Sequence, residues 1–483
     1  MGHRGRHRYE LQMFFMKLGL LLSVFLVFFT MMSFNNPWIL RPSRTAAITM
    51  MTFSIMLPFL ISVYHSFDIG RRRMMDTITT TSFSVLLVDV IVYMQLLIMN
   101  FNENNRDAVE PVLGEVICLL IGMGIQLGLI VLFTRMTTNL YRRNNPPKRT
   151  CLICRNEADA RALRAKLACA AHRYYIEHTL YYGHDDLREE IPKYEQVFIY
   201  NIPLSERHSL VEYCYQLSKP VSYNMEITDI IGYGAGHDMF QDVSFISADN
   251  RRGLNAEERI LKRALDLLVS STMLLALSPI MLLCAAAIWL YDRESVFFCQ
   301  PRATRGGDVF TIYKFRTMRT DSDAHRSVQS DDDRITPVGK ILRRFRLDEL
   351  PQLINILKGD MSIVGPRPEI LKNIEEYTAE VPEFSYRLAV KAGLTGYAQI
   401  AGKYNTAPKE KMMMDLMYIE DYSIWRDIKI MLQTITVFFH RESTEAFNAN
   451  KEGDEEENIL SGVIGAEALS PKEKPVSKDE LTI

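Results

Sequence analysis

Four long apolar stretches crowd the first 135 residues, and they constrain the fold of this chain more than anything that follows. Residues 18–33, 45–64, 82–101 and 112–133 are each, with their flanks, long enough to cross a hydrocarbon core of about 30 Å. Inside such a core every backbone N–H and C=O must be bonded internally, so each stretch is expected to be a helix. Basic residues set the direction. Arg4, Arg6 and Arg8 precede the first stretch, Arg71, Arg72 and Arg73 follow the second, and Arg135, Arg142 and Arg143 follow the fourth. The outer loops hold only Arg41, Arg44 and Arg106, so both ends of the expected four-helix transmembrane bundle (residues 1–147) face the cytoplasm. No clear small-residue cleavage site follows the first stretch, which is therefore not read as a removable leader. Asp89 and Glu115 lie inside spans, where an acid is either functional or paired within the bundle.

From about Lys148 the pattern becomes that of a soluble protein. Segments 150–154, 174–182, 196–200 and 221–224 read as strands, and 158–170 and 205–218 as helices. That alternation predicts a small parallel α/β module, Rossmann-like, over residues 148–250. The first strand is followed by Arg155-Asn156-Glu157, with no glycine-rich phosphate loop. The run Gly232-Tyr233-Gly234-Ala235-Gly236 comes too late for that role and reads as a flexible loop. The module is expected to serve assembly, as a homodimer contact, or regulation, ahead of nucleotide binding. Cys151 and Cys154 form a lone C-x-x-C, a weak metal signal, and read as strand residues. Seven scattered cysteines suggest reduced thiols, and a net charge of -2 argues against a nucleic-acid binder.

Residues 265–290 are again almost wholly apolar, with Ser278-Pro279 at their centre. Proline breaks a helix, and the serine hydroxyl can bond backbone freed by the break. A kinked fifth span and a hairpin returning to the same face are both long enough. The basic flanks favour return, so a re-entrant helix is expected over about 258–291. Beyond it, Thr336-Pro337 has the form of an N-cap with proline at the first helical position. Val338, Ile341, Leu342 and Phe345 recur at helical spacing, predicting a helix that runs into Asp348-Glu349 and breaks at Pro351. A second short helix over 352–358 stops at Gly359. Adjacent helical positions point about 100° apart at ~3.6 residues per turn, so one carboxylate can attack while its neighbour holds a cation. A solvated acid pair beside basic neighbours fits the spacing equally well. Segments 297–302 and 310–318 read as strands around Arg305-Gly306-Gly307-Asp308. Alternation places Lys314 and Arg316 on one face, roughly 7 Å apart at ~3.3 Å per residue, a spacing suited to a diphosphate or simply to a solvated face.

These residues add up to a family resemblance. Gln300, Arg302 and Gly307, the run Phe310-Thr311-Ile312-Tyr313-Lys314-Phe315-Arg316-Thr317-Met318, Leu347-Asp348-Glu349-Leu350-Pro351-Gln352, Gly365-Pro366-Arg367-Pro368-Glu369 and Gly393-Leu394-Thr395-Gly396 closely resemble the bacterial sugar transferases. These are monotopic polyprenyl-phosphate hexose-1-phosphate transferases, and the likeness runs from about Glu258 to His440. It implies a membrane protein of mixed α+β class with a monotopic catalytic domain (251–445) behind the bundle and module. It further implies transfer of sugar 1-phosphate from a UDP-sugar to undecaprenyl phosphate, with Mg²⁺, at the cytoplasmic face of the bacterial inner membrane. That step would initiate exopolysaccharide, capsule or O-antigen assembly. By the resemblance Asp348 is the nucleophile and carries a covalent sugar phosphate, and Glu349 binds Mg²⁺. Arg302, Lys314, Arg316 and Arg367 hold substrate, and Lys403, Asp415 and Asp427 match further family positions in the same substrate-binding set.

Three positions depart from the family's usual residues: Thr304 for glycine, Ala392 for proline and Lys403 for arginine. Residues 427–440 form an amphipathic stretch suited to a membrane surface, and the acidic tail 446–483 is expected to be disordered. The competing reading is a membrane scaffold or sensor with a degenerate transferase domain. Loss of Asp348 or Glu349 would mark it, and both are present.

Overall fold

The computed structural model describes residues 3–69, 73–99, 113–168, 173–183, 186–240, 242–248, 254–319, 334–402 and 406–437. Four long helices open the chain: α1 His3–Asn35, α2 Arg44–Val63, α3 Met74–Ile98 and α4 Leu113–Asn144. All four are long and apolar enough to cross a membrane. Helix α1 packs along α4, and α3 packs against both α2 and α4. Phe25, Phe28 and Phe29 of α1 meet Phe53 of α2 ring to ring, filling one side of the core. The other side is polar: Thr77, Thr80, Thr81, Ser84 and Asp89 of α3 are buried. Gln126 on α4 donates to Asp89 Oδ1 at 3.3 Å and to the Val24 carbonyl at 3.2 Å, so Asp89 is paired inside the helices.

The middle segment forms a four-stranded parallel sheet in the order β2-β1-β3-β4, from β1 Lys148–Cys154, β2 Tyr174–Tyr181, β3 Gln196–Tyr200 and β4 Val221–Tyr223. Helices α5 Glu157–Ala168, α6 Leu187–Glu190 and α7 Leu204–Gln216 connect the strands. Strand β1 is central and apolar, and Cys151 to Cys154 are fully buried in it, with no metal cluster among the described residues. One expectation fails here. Ile227–Gly234 is a helix, α8, so the first three residues of the 232–236 run are helical rather than looped. Glu226 and Asp229 close a capping box at its start, and Ile230 is buried against Phe384, Met412 and Leu416 of the following block. That packing overrides the low helix propensity of Gly232 and Gly234. An antiparallel hairpin follows, β5 Gly236–Phe240 with β6 Val243–Ser247.

The last block begins with α9, Ala256–Asp292, one continuous helix containing Ser278 and Pro279. The Ser278 hydroxyl donates back to the Leu275 carbonyl at 2.8 Å. Strands β7 Phe297–Ala303 and β8 Val309–Phe315 form a hairpin through Gly306 and Gly307, both at positive φ. Then come α10 Pro337–Arg344, α11 Gln352–Lys358, β9 Ser362–Val364, α12 Leu371–Glu380, β10 Gly393–Thr395, α13 Tyr397–Ala401, α14 Pro408–Glu420 and α15 Ile424–Val437. Both halves of α9 pack on this block. Near its start, Arg263 donates to the Ile356 and Leu357 carbonyls at the end of α11, and Asp266 accepts from Ser362 Oγ and Ile363 N. Near its end, Cys284 and Ile288 pack against Phe315 and Leu342. Helix α15 also reaches the first bundle: Tyr64 donates to the Leu432 carbonyl at 2.8 Å, and Gln433 to the Val63 carbonyl at 3.0 Å. The 446–483 tail lies outside the described residues.

Candidate active site

Thr336 caps α10 by accepting from Gly339 N at 2.9 Å, as the Thr-Pro signal predicts. The helix ends earlier than its apolar spacing suggests. Arg346 takes a left-handed conformation, φ 52°, so the chain turns before the acids, and Leu347–Glu349 form a 3₁₀ turn. Leu347 and Leu350 pack beside Leu342 and Phe315, holding that turn against β8. Pro351 then caps α11, and Gly359 stops it at φ 96°.

Glu349 sits where three segments converge. Its Oε1 accepts from Lys314 Nζ on β8 and from Arg367 Nη2 in the loop after β9, both at 2.8 Å. Burial alone would raise this carboxyl, but Arg367 and Lys314 override it and hold Glu349 far below the usual carboxylate range. Asp348, one residue away, has no ion pair among the described residues. Burial raises its pKa and the neighbouring Glu349 adds to that, against the pull of Lys314 and Arg343. Two adjacent carboxyls are thus driven in opposite directions, the arrangement that separates a permanent anion from a reactive one.

The Arg367 loop is pinned from below. Glycines allow it: a Cβ at Gly393 would collide with the Gly365 backbone, and one at Gly396 with the Gly365 carbonyl. Arg387, 3% exposed, donates from Nη2 to the Arg367 carbonyl at 2.9 Å and pairs with Asp415 Oδ2 at 2.8 Å. Glu369 completes the network through Arg387 and Lys411. Arg387 escaped the sequence reading because an arginine amid a short apolar stretch carries no spacing signal. The resemblance puts Asp415 among the substrate-binding residues. It is buried beneath the loop instead, where burial raises its pKa against Arg387 and Lys411.

Of the remaining sequence candidates, Arg302 lines the cleft with Lys314, Glu349, Gln352, Arg367 and Gln399. It donates to the Pro368 carbonyl and to Gln300 Oε1. Arg316 does not share the cleft with Lys314. Past the end of β8 the alternation no longer applies, and its guanidinium is held by Asp292 and Glu294 at the end of α9. Asp427 is likewise structural in position: it pairs with Lys262 of α9 at 2.6 Å and accepts from Tyr418 at 2.8 Å. Thr304 bridges two loops, donating to the Asp360 carbonyl and accepting from Ala392 N, which a glycine could not do. Lys403 lies outside the described residues.

No three His, Cys, Asp or Glu side chains cluster among the described residues. A magnesium ion here would be shared between one carboxylate and substrate phosphates. Glu349 suits that mode, because both cations engage its Oε1 and leave Oε2 outside those pairs.

Comparison with known proteins accords with this arrangement. The model of the bacterial sugar transferase family matches residues 257–441. A UDP-glucose:undecaprenyl-phosphate glucose-1-phosphate transferase of Caulobacter vibrioides is 41% identical over 181 residues, covering 36% of this chain and 68% of that one. An uncharacterized sugar transferase of Bacillus subtilis is 38% identical, covering 39% of this chain and 92% of its own length. A UDP-N-acetylgalactosamine-undecaprenyl-phosphate N-acetylgalactosaminephosphotransferase of Aeromonas hydrophila is 39% identical, with 43% of its length covered. The matched block contains the hairpin, the acid turn and the pinned arginine loop together, and on that ground the chain belongs to the bacterial sugar transferase family.

Proposed function

We propose that this protein transfers a sugar 1-phosphate from a UDP-sugar to undecaprenyl phosphate, releasing UMP and giving undecaprenyl-diphosphate-sugar, the first lipid-linked step in building an exopolysaccharide, capsule or O-antigen. The observation that carries the reading is the contrast within the acid turn: Glu349 is committed to two cations while Asp348 has no ion pair among the described residues. In the first step an Asp348 carboxylate oxygen attacks the phosphorus bearing the sugar. The bond to the bridging oxygen breaks and UMP leaves with that electron pair. In the second, a phosphate oxygen of undecaprenyl phosphate attacks the same phosphorus and the bond to Asp348 breaks. Splitting the transfer lets one small site serve a soluble and a lipid substrate in turn. Lys314 and Arg367 turn from Glu349 to the arriving phosphate oxygens, and Arg302 borders the same cleft. Magnesium, held by Glu349 and the diphosphate, would supply further charge neutralisation.

The same reading places the catalytic block on the cytoplasmic face of the inner membrane, with α9 entering and returning. Two contacts support it. Both halves of α9 pack on one block, at Asp266 and at Cys284 and Ile288. Helix α15 docks at the end of α2 that leads to Arg71-Arg72-Arg73, the positively flanked end. Purified protein incubated with undecaprenyl phosphate, magnesium and a panel of UDP-sugars should release UMP and trap a labelled sugar phosphate on Asp348. Label retained by Asp348→Asn would overturn the nucleophile assignment.

A further inference from the structure

The cleft beside the acid turn has an ion-paired half and a half lined by two amides and the Arg302 guanidinium. Lys314, Glu349 and Arg367 make the first, and they suit a diphosphate and its cation. Arg302, Gln352 and Gln399 line the second. Among the described residues two polar atoms there are buried with no protein hydrogen-bond partner, Gln399 Oε1 and Arg302 Nε, and Gln352 is itself only 3% exposed. The orientation of the Gln399 amide follows from chemistry. Its nitrogen donates to the Leu394 carbonyl at 3.2 Å, a contact an amide oxygen cannot make, so the oxygen is the atom left over. Gln399 is placed by a short helix that starts at Gly396, where the backbone crosses the Gly365 carbonyl. The side chain therefore comes from the same crossing that carries the Arg367 loop. A buried amide oxygen without a donor is costly, and one that lines a cleft is placed to take its partner from a ligand. An amide acceptor next to a phosphate clamp selects an O–H or N–H donor within a bond or two of that phosphate.

We infer that Gln399, with Gln352 beside it, is a specificity-determining residue that accepts a hydrogen bond from a hydroxyl or amide of the UDP-sugar adjacent to its diphosphate. The inference rests on the transferase reading above. A UDP-sugar offers such donors on two sides, the sugar ring and the ribose.

The test measures UMP release by the full-length protein in lipid nanodiscs with undecaprenyl phosphate and magnesium. Wild type and Gln399→Met are compared on the preferred UDP-sugar and its singly deoxygenated analogues, and with UMP and its 2′- and 3′-deoxy forms as inhibitors. The methionine keeps the volume and removes both polar atoms. Gln399→Met should lower kcat/KM about ten- to a hundredfold on the parent substrate, the span of one buried hydrogen bond. It should leave activity on one deoxy analogue unchanged, because that analogue already lacks the bond. Loss of discrimination among sugar analogues with unaltered UMP inhibition assigns the sugar side; loss among the UMP analogues assigns the ribose. An equal fall on every analogue overturns the inference, since the residue would then act only by tethering Leu394. If Gln399→Met does not fold, Gln352→Met is carried through the same comparison, and unchanged discrimination there overturns the inference too. A wild-type protein that releases no UMP from any UDP-sugar would instead remove the transferase reading.

Discussion

Asp348 and Glu349 share a turn and differ in their surroundings, and their variants should differ accordingly. Asp348→Asn keeps the size and removes the attacking oxygen's charge, so UMP release should fall by at least ~10³-fold while the protein stays folded, since no ion pair among the described residues is lost. Glu349→Gln leaves Lys314 and Arg367 facing a neutral amide. It should weaken turnover and move the magnesium titration to higher concentrations; an unchanged titration would assign the metal to another ligand. The pH dependence follows from the opposite shifts. In the proposed mechanism Asp348 attacks in its ionised form, and its pKa is raised, so the acid limb of kcat/KM should lie above the ordinary aspartate value of ~3.9. Glu349 is lowered, so the stability it contributes is present above its unfolded value of ~4.3 and is lost as pH falls towards its folded value. A Tm that stays flat from pH 6 to pH 3 would contradict the Glu349 pairing. The acid pair, Lys314 and Arg367 were legible because residue type and order carry them. The roles of Asp415, Asp427 and Arg316 were not, because each is fixed by a partner distant in sequence: Arg387, Lys262 and Asp292.

Elements were legible where a local rule decides them. The Thr336 cap, the Gly359 stop and the strand at Gln196–Tyr200 sit where their signals put them. Elements that depend on a neighbour were not. Helix α8 forms on glycines because α14 and Phe384 bury its Ile230, and α10 stops at Phe345 because Arg346 turns left-handed. Helix α9 combines both kinds of information, since its apolar length is local and its seating is not. Asp266 accepts two hydrogen bonds at 3.0 Å from the start of β9 while 5% exposed. Asp266→Ala orphans Ser362 and the Ile363 amide, and should cost about 1–3 kcal/mol per unsatisfied group. Thermal unfolding in detergent measures that loss. An unchanged Tm would show that α9 is seated by its apolar face alone.

For the whole molecule the decisive matter is which side of the membrane holds the chemistry. Among the described residues five helices are long and apolar enough to cross, and the fifth precedes every residue of the cleft. At ~1.5 Å per residue its 37 residues would reach about 55 Å if straight, well beyond a ~30 Å hydrocarbon core. A crossing α9 would separate its two ends by the membrane. Yet Lys262 near one end is paired with Asp427 at 2.6 Å, and Asp292 at the other is paired with Arg316, and both partners belong to one folded block. Pro279 removes a backbone donor midway, the place where a returning helix would bend. Cysteines placed at Asn255 and Glu294, in a background without the native thiols, should both react in intact cells only with membrane-permeant reagents. Pro279→Leu restores the missing donor and should divert part of the population to a crossing orientation, in which Glu294→Cys becomes reactive from outside and cellular activity falls in proportion. Labelling of Glu294→Cys by an impermeant reagent with Pro279 in place would refute the returning helix, because the Asp292–Arg316 pair would then carry the acid turn to the far side, away from UDP-sugars made in the cytoplasm.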